Sequence, residues 1–262
     1  MPEKEIAVLL HGNGAGLGNF RFFADDTATE LVRTKKFERS AIVIKETLSR
    51  DAFFAALSSI AIGNKIKELH VFSHSIGGGL YVGYHEATAS ANRDAAWRLS
   101  VTNNTKITYD QVLVAETGGI LTDHLLFNPL ASDRAAIKAK FAADAIVKIW
   151  GCNSGVSGWI YSDTDTATGN SVTDPNANTK PYYWRALNTQ NTPKPSISQA
   201  LADYFGVKVF GAGSGSHIEV LHEGKWISSS QYKKVTGKFA GEPETLRLHP
   251  DSGDFNAFPP AP

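Results

Sequence analysis

The chain has almost no thiol chemistry, no net charge and no long hydrophobic run. Cys152 is its one cysteine, so an intramolecular disulfide is excluded and stability must come from a packed core. A lone thiol fits a reducing compartment. The 26 basic and 26 acidic residues cancel, which argues against a nucleic-acid binder or an anionic-membrane binder, since both carry a basic excess. No stretch approaches the roughly 18 continuous apolar residues of a membrane span. Met1-Pro2-Glu3-Lys4-Glu5 leads into a short apolar run without the layout of a signal peptide. These absences together predict a soluble, cytoplasmic protein.

What is present is an ordinary globular composition, with 42% apolar and 20% charged residues over 262 positions, enough to bury one large core. Five short apolar runs read as buried parallel strands: Ile6–Leu10, Ala41–Lys45, Leu69–Ser73, Ala145–Trp150 and Val207–Phe210. Helical patterns lie between them. Phe23, Ala24, Ala28, Leu31 and Val32 share one face, and Phe53, Ala56, Leu57 and Ile60 follow the i, i+3, i+4, i+7 rule. Ile137 and Phe141 sit four apart after a Ser132 cap. Ser196 and Gln199 form a capping box for Ile197–Phe205, and Gly206 ends that helix. This alternation calls for an α/β fold, a mostly parallel sheet sandwiched by helices in three layers.

The pattern predicts a single domain over 1–241 with insertions at about 84–131 and 153–180, and an extended tail over 242–262 marked by its prolines. Lys106–Thr108 and Gln111–Ala115 read as a small hairpin within the first insertion. Residues 153–180, rich in Ser, Thr, Asn, Asp and Gly, read as a surface loop. His217 and His222 decorate a second hairpin, with Glu223-Gly224 as its turn.

In open α/β sheets, function gathers beyond the carboxyl ends of the strands. His74 follows the third run and Cys152 the fourth. A thiol with its ordinary pKa near 8.5 is only a few per cent thiolate at neutral pH. A neighbouring imidazole can take its proton and return it to a leaving amine. Small residues flank both positions, Ser75 and Gly77–Gly79 on one side and Gly151, Ser154 and Gly155 on the other. The bland alternatives are a buried, inert thiol and a structural histidine at a strand end.

Leu69-His70-Val71-Phe72-Ser73-His74-Ser75 and Ile146-Val147-Lys148-Ile149-Trp150-Gly151-Cys152 together resemble the caspase-like peptidases, the group that includes metacaspase, gingipain-like and CHAT-type domains. In that group one hydrophobic strand ends in His-Gly and a later one in Ala-Cys or Gly-Cys. The resemblance extends over roughly residues 5–83 and 132–213. It implies a cysteine peptidase acting on a polypeptide substrate through a Cys152–His74 dyad and a thioester acyl-enzyme, with no cofactor and no metal. It also implies an oxyanion site from the backbone amides of Ser75 and Cys152, and a cleavable linker after the cysteine. The sequence departs from the pattern in three ways. Ser75 stands where the glycine after the histidine is usual, Gly155 comes three places after the cysteine rather than two, and the two catalytic positions lie farther apart than the roughly 50 residues of caspases.

Two other readings stand beside this one. Ser73-His74-Ser75-Ile76-Gly77 nearly matches the G-x-S-x-G nucleophile elbow, and Leu9-Leu10-His11-Gly12-Asn13-Gly14 resembles the oxyanion segment of an α/β-hydrolase, so a serine esterase using Ser75 and His217 is the enzymatic rival. The strand at 145–150 is followed by a cysteine instead of the orienting carboxylate which that fold needs. A non-catalytic binding module is the third reading.

Other motifs in the chain are weaker. Gly12–Gly18 fits no register of G-x-G-x-x-G and reads as a substrate-side loop. Asp163-Thr164-Asp165 with Gly169 lacks the spacing of a calcium loop. His11, Asn13, Asp163 and Asp165 are unranked candidates for substrate contacts.

Overall fold

In the computed structural model the described residues are 3–13, 20–75, 79–83, 119–122, 125, 131–151, 154–155, 159–161, 184–186, 195–212, 219–237 and 255–262. Five strands pair in parallel: β1 (Lys4–His11), β2 (Ile42–Glu46), β3 (Asn64–Phe72), β7 (Phe141–Ile149) and β10 (Lys208–Ala212). A sixth, β13 (Phe255–Phe258), joins antiparallel to β10 and completes the order β13-β10-β7-β3-β1-β2. The expected α/β sheet is therefore present, mixed only at one edge.

The order follows from the strand sequences. β1, β3 and β7 lie inside the sheet; β1 buries Ile6–Leu10 without interruption, at 2% exposure or less, and β3 buries Glu68–Phe72, whereas β7 alternates, burying Phe141, Ala145, Val147 and Ile149. Connections leave β1 in two directions, first to β2 and then, through β3, to β7 and β10. That reversal places the topological switch between β1 and β3.

Helices cover both faces. On one lie α2 (Arg50–Ser58), α3 (Ala131–Lys138) and α4 (Ile197–Phe205), packed through Phe53, Leu57, Ile137, Leu201 and Phe205 against Val8, Leu10, Leu69, Val147 and Val209. On the other, α1 (Phe20–Arg33) sets Phe20, Phe23, Ala24 and Leu31 against Ala7, Leu9, Phe72 and Trp150, joined by Tyr232 of α5 (Ser229–Thr236).

Of the expected caps, Ser196 and Gly206 delimit α4, and Ser49 adds one that the sequence reading did not name. The Ser49 hydroxyl accepts the Ala52 N–H, Ser196 accepts that of Gln199, and Gly206 closes α4 at φ +70°. The hairpin of β11 (Glu219–His222) and β12 (Lys225–Ser228) turns on Glu223 and Gly224, both with positive φ (49° and 75°).

Several boundaries differ from expectation. Phe141 opens β7 instead of extending the helix: its four-residue spacing from Ile137 mimics a helical period, but the chain turns at Ala139 and Lys140. Ser132 lies within the first turn of α3 and not before it. The tail is extended at its end, yet residues 255–258 belong to the sheet, and Asp203 Oδ1 accepts the Ala261 N–H at 2.7 Å. His74 does not continue the third strand. β3 stops at Phe72, and His74–Ser75 form a two-residue strand, β4, in a small antiparallel sheet with β5 (Gly79–Tyr81) and β6 (Ile120–Leu121). β8 (Trp159–Tyr161), within the segment read as a loop, pairs with β9 (Trp184–Ala186) just beyond it. The hairpin expected at 106–115 lies outside the described residues.

Candidate active site

Parallel registry sets the carboxyl ends of five strands along one rim. His11 stands opposite Glu46 on one side and Phe72 on the other, Val71 opposite Ile149, and Ile149 opposite Gly211. β3 and β7 are hydrogen-bonded neighbours, so the chain leaving one strand runs beside the chain leaving the other.

The two departing segments touch. The Trp150 N–H donates to the Val71 carbonyl at 2.8 Å, which carries the register one residue past β7. At the next position a β-carbon on Gly151 would sit 2.5 Å from Ser75 Cβ, 3.0 Å from the Ser73 carbonyl oxygen and 3.5 Å from Ser75 N. No side chain larger than hydrogen fits there. The residue before Cys152 is thus pressed against the residue after His74.

The chain is tied again at Ser154 and Gly155. Ser154 Oγ accepts the Ala212 N–H at 3.0 Å, the Gly155 N–H donates to the Ala212 carbonyl at 2.8 Å, and the Ser198 N–H donates to the Ser154 carbonyl at 3.2 Å. A β-carbon on Gly155 would lie 2.8 Å from the Gly211 carbonyl oxygen. Ser154 and Gly155 are buried between the end of β10 and the first turn of α4. Cys152 itself, with Asn153, lies outside the described residues, as do His217, Asp163, Asp165 and the glycine loop beyond Asn13.

His74 is half-buried, and its ring centroid stands 4.9 Å from that of Phe20 at the start of α1. Ser75 is buried, and its Oγ has no hydrogen-bond partner among the described residues. The nucleophile elbow requires a strand, a sharp turn and a helix, with the serine hydroxyl open at the top. Ser75 instead pairs with Leu80 across an antiparallel hairpin, so the chain after it re-enters a strand. That geometry does not fit the esterase assignment of Ser75.

Of the candidate substrate contacts at the end of β1, His11 is buried and Asn13 half-buried. His11 is 3% exposed, with its Nε2 unpartnered among the described residues. Burial holds its imidazole below the usual value, helped by Arg21 and opposed by the Gly12 carbonyl, Glu46 and Asp25. Gly12 packs on Val82, where a β-carbon would come within 2.3 Å of the carbonyl oxygen, and the Asn13 N–H donates to that same carbonyl at 2.8 Å.

Sequence reasoning missed a polar chain on the α1 face, just behind the rim. Trp150 Nε1–H donates to His70 Nδ1 at 3.3 Å, and His70 Nε2 meets Glu68 Oε2 at 3.2 Å. Lys36 Nζ reaches Glu68 Oε1 at 2.8 Å. An indole nitrogen can only donate and an ionised carboxylate can only accept, so His70 is neutral and carries its proton on Nε2. Burial pushes the Glu68 carboxyl upward, but hydrogen bonds from His70 and Lys36 outweigh it and leave the group at about 2. Burial lowers the His70 imidazole, partly offset by Glu68. The one available sequence signal was Glu68-x-His70 at strand period, which also describes a solvated strand face.

Among the described residues no cluster of three or more His, Cys, Asp or Glu gathers to hold a metal ion, and no helix is long and apolar enough to cross a membrane. No family profile, curated protein or solved structure matches the chain.

Proposed function

We propose that the chain is a caspase-like cysteine peptidase in which Cys152 is the nucleophile and His74 its base. The observation that carries this reading is the contact at the rim. β3 and β7 are adjacent, and the residue preceding the only cysteine packs on the residue following His74. Proton transfer between two groups so far apart along the chain requires neighbouring rigid supports, and the contact of Gly151 with Ser75 supports that reading.

In the proposed reaction His74 takes the Cys152 proton and the thiolate attacks the scissile carbonyl carbon. The oxygen then bears the charge, facing the backbone amides of Ser75 and Cys152. Collapse of this intermediate breaks the C–N bond as His74 delivers its proton to the leaving amine. The thioester is hydrolysed by a water that His74 deprotonates, and the departing thiolate recovers the proton. An amide donor survives the replacement of glycine by Ser75, so that departure leaves the chemistry intact. Self-cleavage within 153–180 belongs to the same proposal.

Replacing Cys152 decides the matter. Cys152→Ala is expected to abolish peptide-library hydrolysis while the thermal melt stays that of the wild type, and His74→Ala to lower kcat by roughly 10²–10⁴. A thiol-directed acylating probe is expected to label native Cys152. Hydrolysis at the wild-type rate in Cys152→Ala would exclude the mechanism.

A further inference from the structure

We propose that His70 is a positioning residue for Gly151, the residue before Cys152: its neutral ring, anchored by Glu68, fixes the indole of Trp150, which Gly151 follows. The inference rests on the peptidase reading of Cys152.

Trp150 is held at both ends. Its backbone N–H is bonded to Val71, and its indole N–H to His70 Nδ1. The indole also stacks on Phe72, with ring centroids 5.7 Å apart and planes 10° from parallel, and meets Phe255 edge-on at 5.3 Å. Lys148 Nζ lies 4.3 Å from the centroids of both Trp150 and Phe255. The groups facing the His70 ring are therefore Glu68 and Phe72 from β3, Lys148 and Trp150 at the end of β7, and Lys36 from the turn after α1.

Stability does not require this arrangement. Well-packed apolar side chains of the same volume are often as stable as a buried ionic network, or more so. Stacking alone lets an indole slide and tilt within its plane. What the polar chain adds is direction: a single acceptor, held on a ring that its other nitrogen locks to a carboxylate, allows one orientation of the indole N–H. The same logic governs histidines oriented by a hydrogen bond at their second nitrogen.

The direction matters because the next residue has no slack. Gly151 is already as close to Ser75 as a residue without a side chain can be. A tilt of Trp150 transmits to Gly151, on which the next residue, Cys152, follows, and to the Ser75 backbone that Gly151 packs on. Misplacement by about 1 Å is enough to cost catalysis on the order of 10²-fold.

Three variants test the inference. Trp150→Phe keeps an aromatic ring to stack and deletes the indole donor together with the volume of the fused ring. His70→Leu removes both ring nitrogens, whereas His70→Gln keeps one donor and one acceptor and cannot ionise. Each is measured for kcat and KM on a cleaved peptide, for the iodoacetamide alkylation rate of Cys152, and for its thermal melt. Trp150→Phe and His70→Leu are expected to lower kcat by about 10-fold or more with KM within about twofold, and to slow alkylation, while His70→Gln stays within about threefold of the wild type in both rates. If His70→Leu does not fold, Trp150→Phe decides alone. A folded Trp150→Phe with wild-type kcat and wild-type alkylation overturns the positioning role. If Cys152→Ala abolishes hydrolysis in the same assay, that result leaves the peptidase reading standing. Hydrolysis that survives Cys152→Ala instead removes the reading and the inference together.

Discussion

The two faces of the central sheet bury side chains to nearly the same degree by different chemistry. On the face covered by α2, α3 and α4, the inward residues Val8, Leu10, Leu69, Val71, Val147, Ile149 and Val209 are all aliphatic. On the face covered by α1, the same strands contribute Ala7 and Leu9 but also His11, Glu68, His70 and Phe72, with Lys148 and Trp150 beside them. Leu69 is fully buried, and its neighbour His70, pointing the other way, is 7% exposed. An aliphatic layer constrains volume, and many packings satisfy it. A hydrogen-bonded layer constrains angles, because a buried donor without its acceptor loses its full solvation energy. The first face holds the domain together, and the second aligns what stands at its rim.

The largest effect expected from this division is on stability and comes from the aliphatic face. Leu69→Ala is expected to destabilise the fold by roughly 2–5 kcal/mol, since the cavity opens between β3 and a packed helix layer. Denaturant titration measures that loss, and kcat per folded molecule should be unchanged. A variant that stayed folded yet lost kcat as far as Trp150→Phe would break the contrast between the faces.

Acid should attack the other face. Glu68 sits at about 2 against an ordinary value of 4.5, and His70 lies below its ordinary 6.5. Both folded-state values are lower than the unfolded ones, so the unfolded chain binds more protons in acid and stability falls as pH falls. The loss begins near 6.5 with His70, to which the likewise lowered His11 adds, and continues below 4.5 as Glu68 is protonated. Glu68 alone is worth on the order of 3 kcal/mol between neutrality and strong acid. Unfolding free energies at pH 7.5, 5.5 and 4 read this directly, and His70→Gln should flatten the first part of the slope. A wild type equally stable at all three pH values would contradict the neutral, Nε2-protonated state of His70.

The aliphatic face was also the more legible one in sequence. Short runs such as Ile6–Leu10 and Val207–Phe210 declare buried strands through composition alone, and Ser196, Gln199 and Gly206 delimit α4 through contacts within a few residues. The Glu223-Gly224 turn is local in the same sense. Elements joined across long separations were not legible. Nothing near Gly79–Tyr81 announces that it pairs with His74–Ser75 and with Ile120–Leu121, and the prolines around Phe255–Phe258 conceal a strand whose partner is β10. At the rim, the strand ends and their small residues pointed to His74, Ser75 and Gly151, because the carboxyl edge of a parallel sheet is set by strand order. The chain from Lys36 to Trp150 stayed hidden for the opposite reason. Glu and His at strand period become a buried pair only once α1 and the residues after it close over them.

The smallest expected effect separates the chemistry of the rim most sharply. Ser75→Ala removes an oxygen that is buried without a partner among the described residues, so no hydrogen bond is lost there and the desolvation of a hydroxyl is relieved. The β-carbon that meets Gly151 stays, and so does the backbone N–H assigned to the oxyanion. Stability should change by no more than about 1 kcal/mol and kcat by no more than about threefold. If the hydroxyl were instead a nucleophile, the same substitution would remove nearly all turnover on a p-nitrophenyl ester. Cys152→Ala assayed beside it would then retain activity. One methyl-for-hydroxymethyl exchange thus assigns the attacking atom either to Ser75 on β4 or to Cys152.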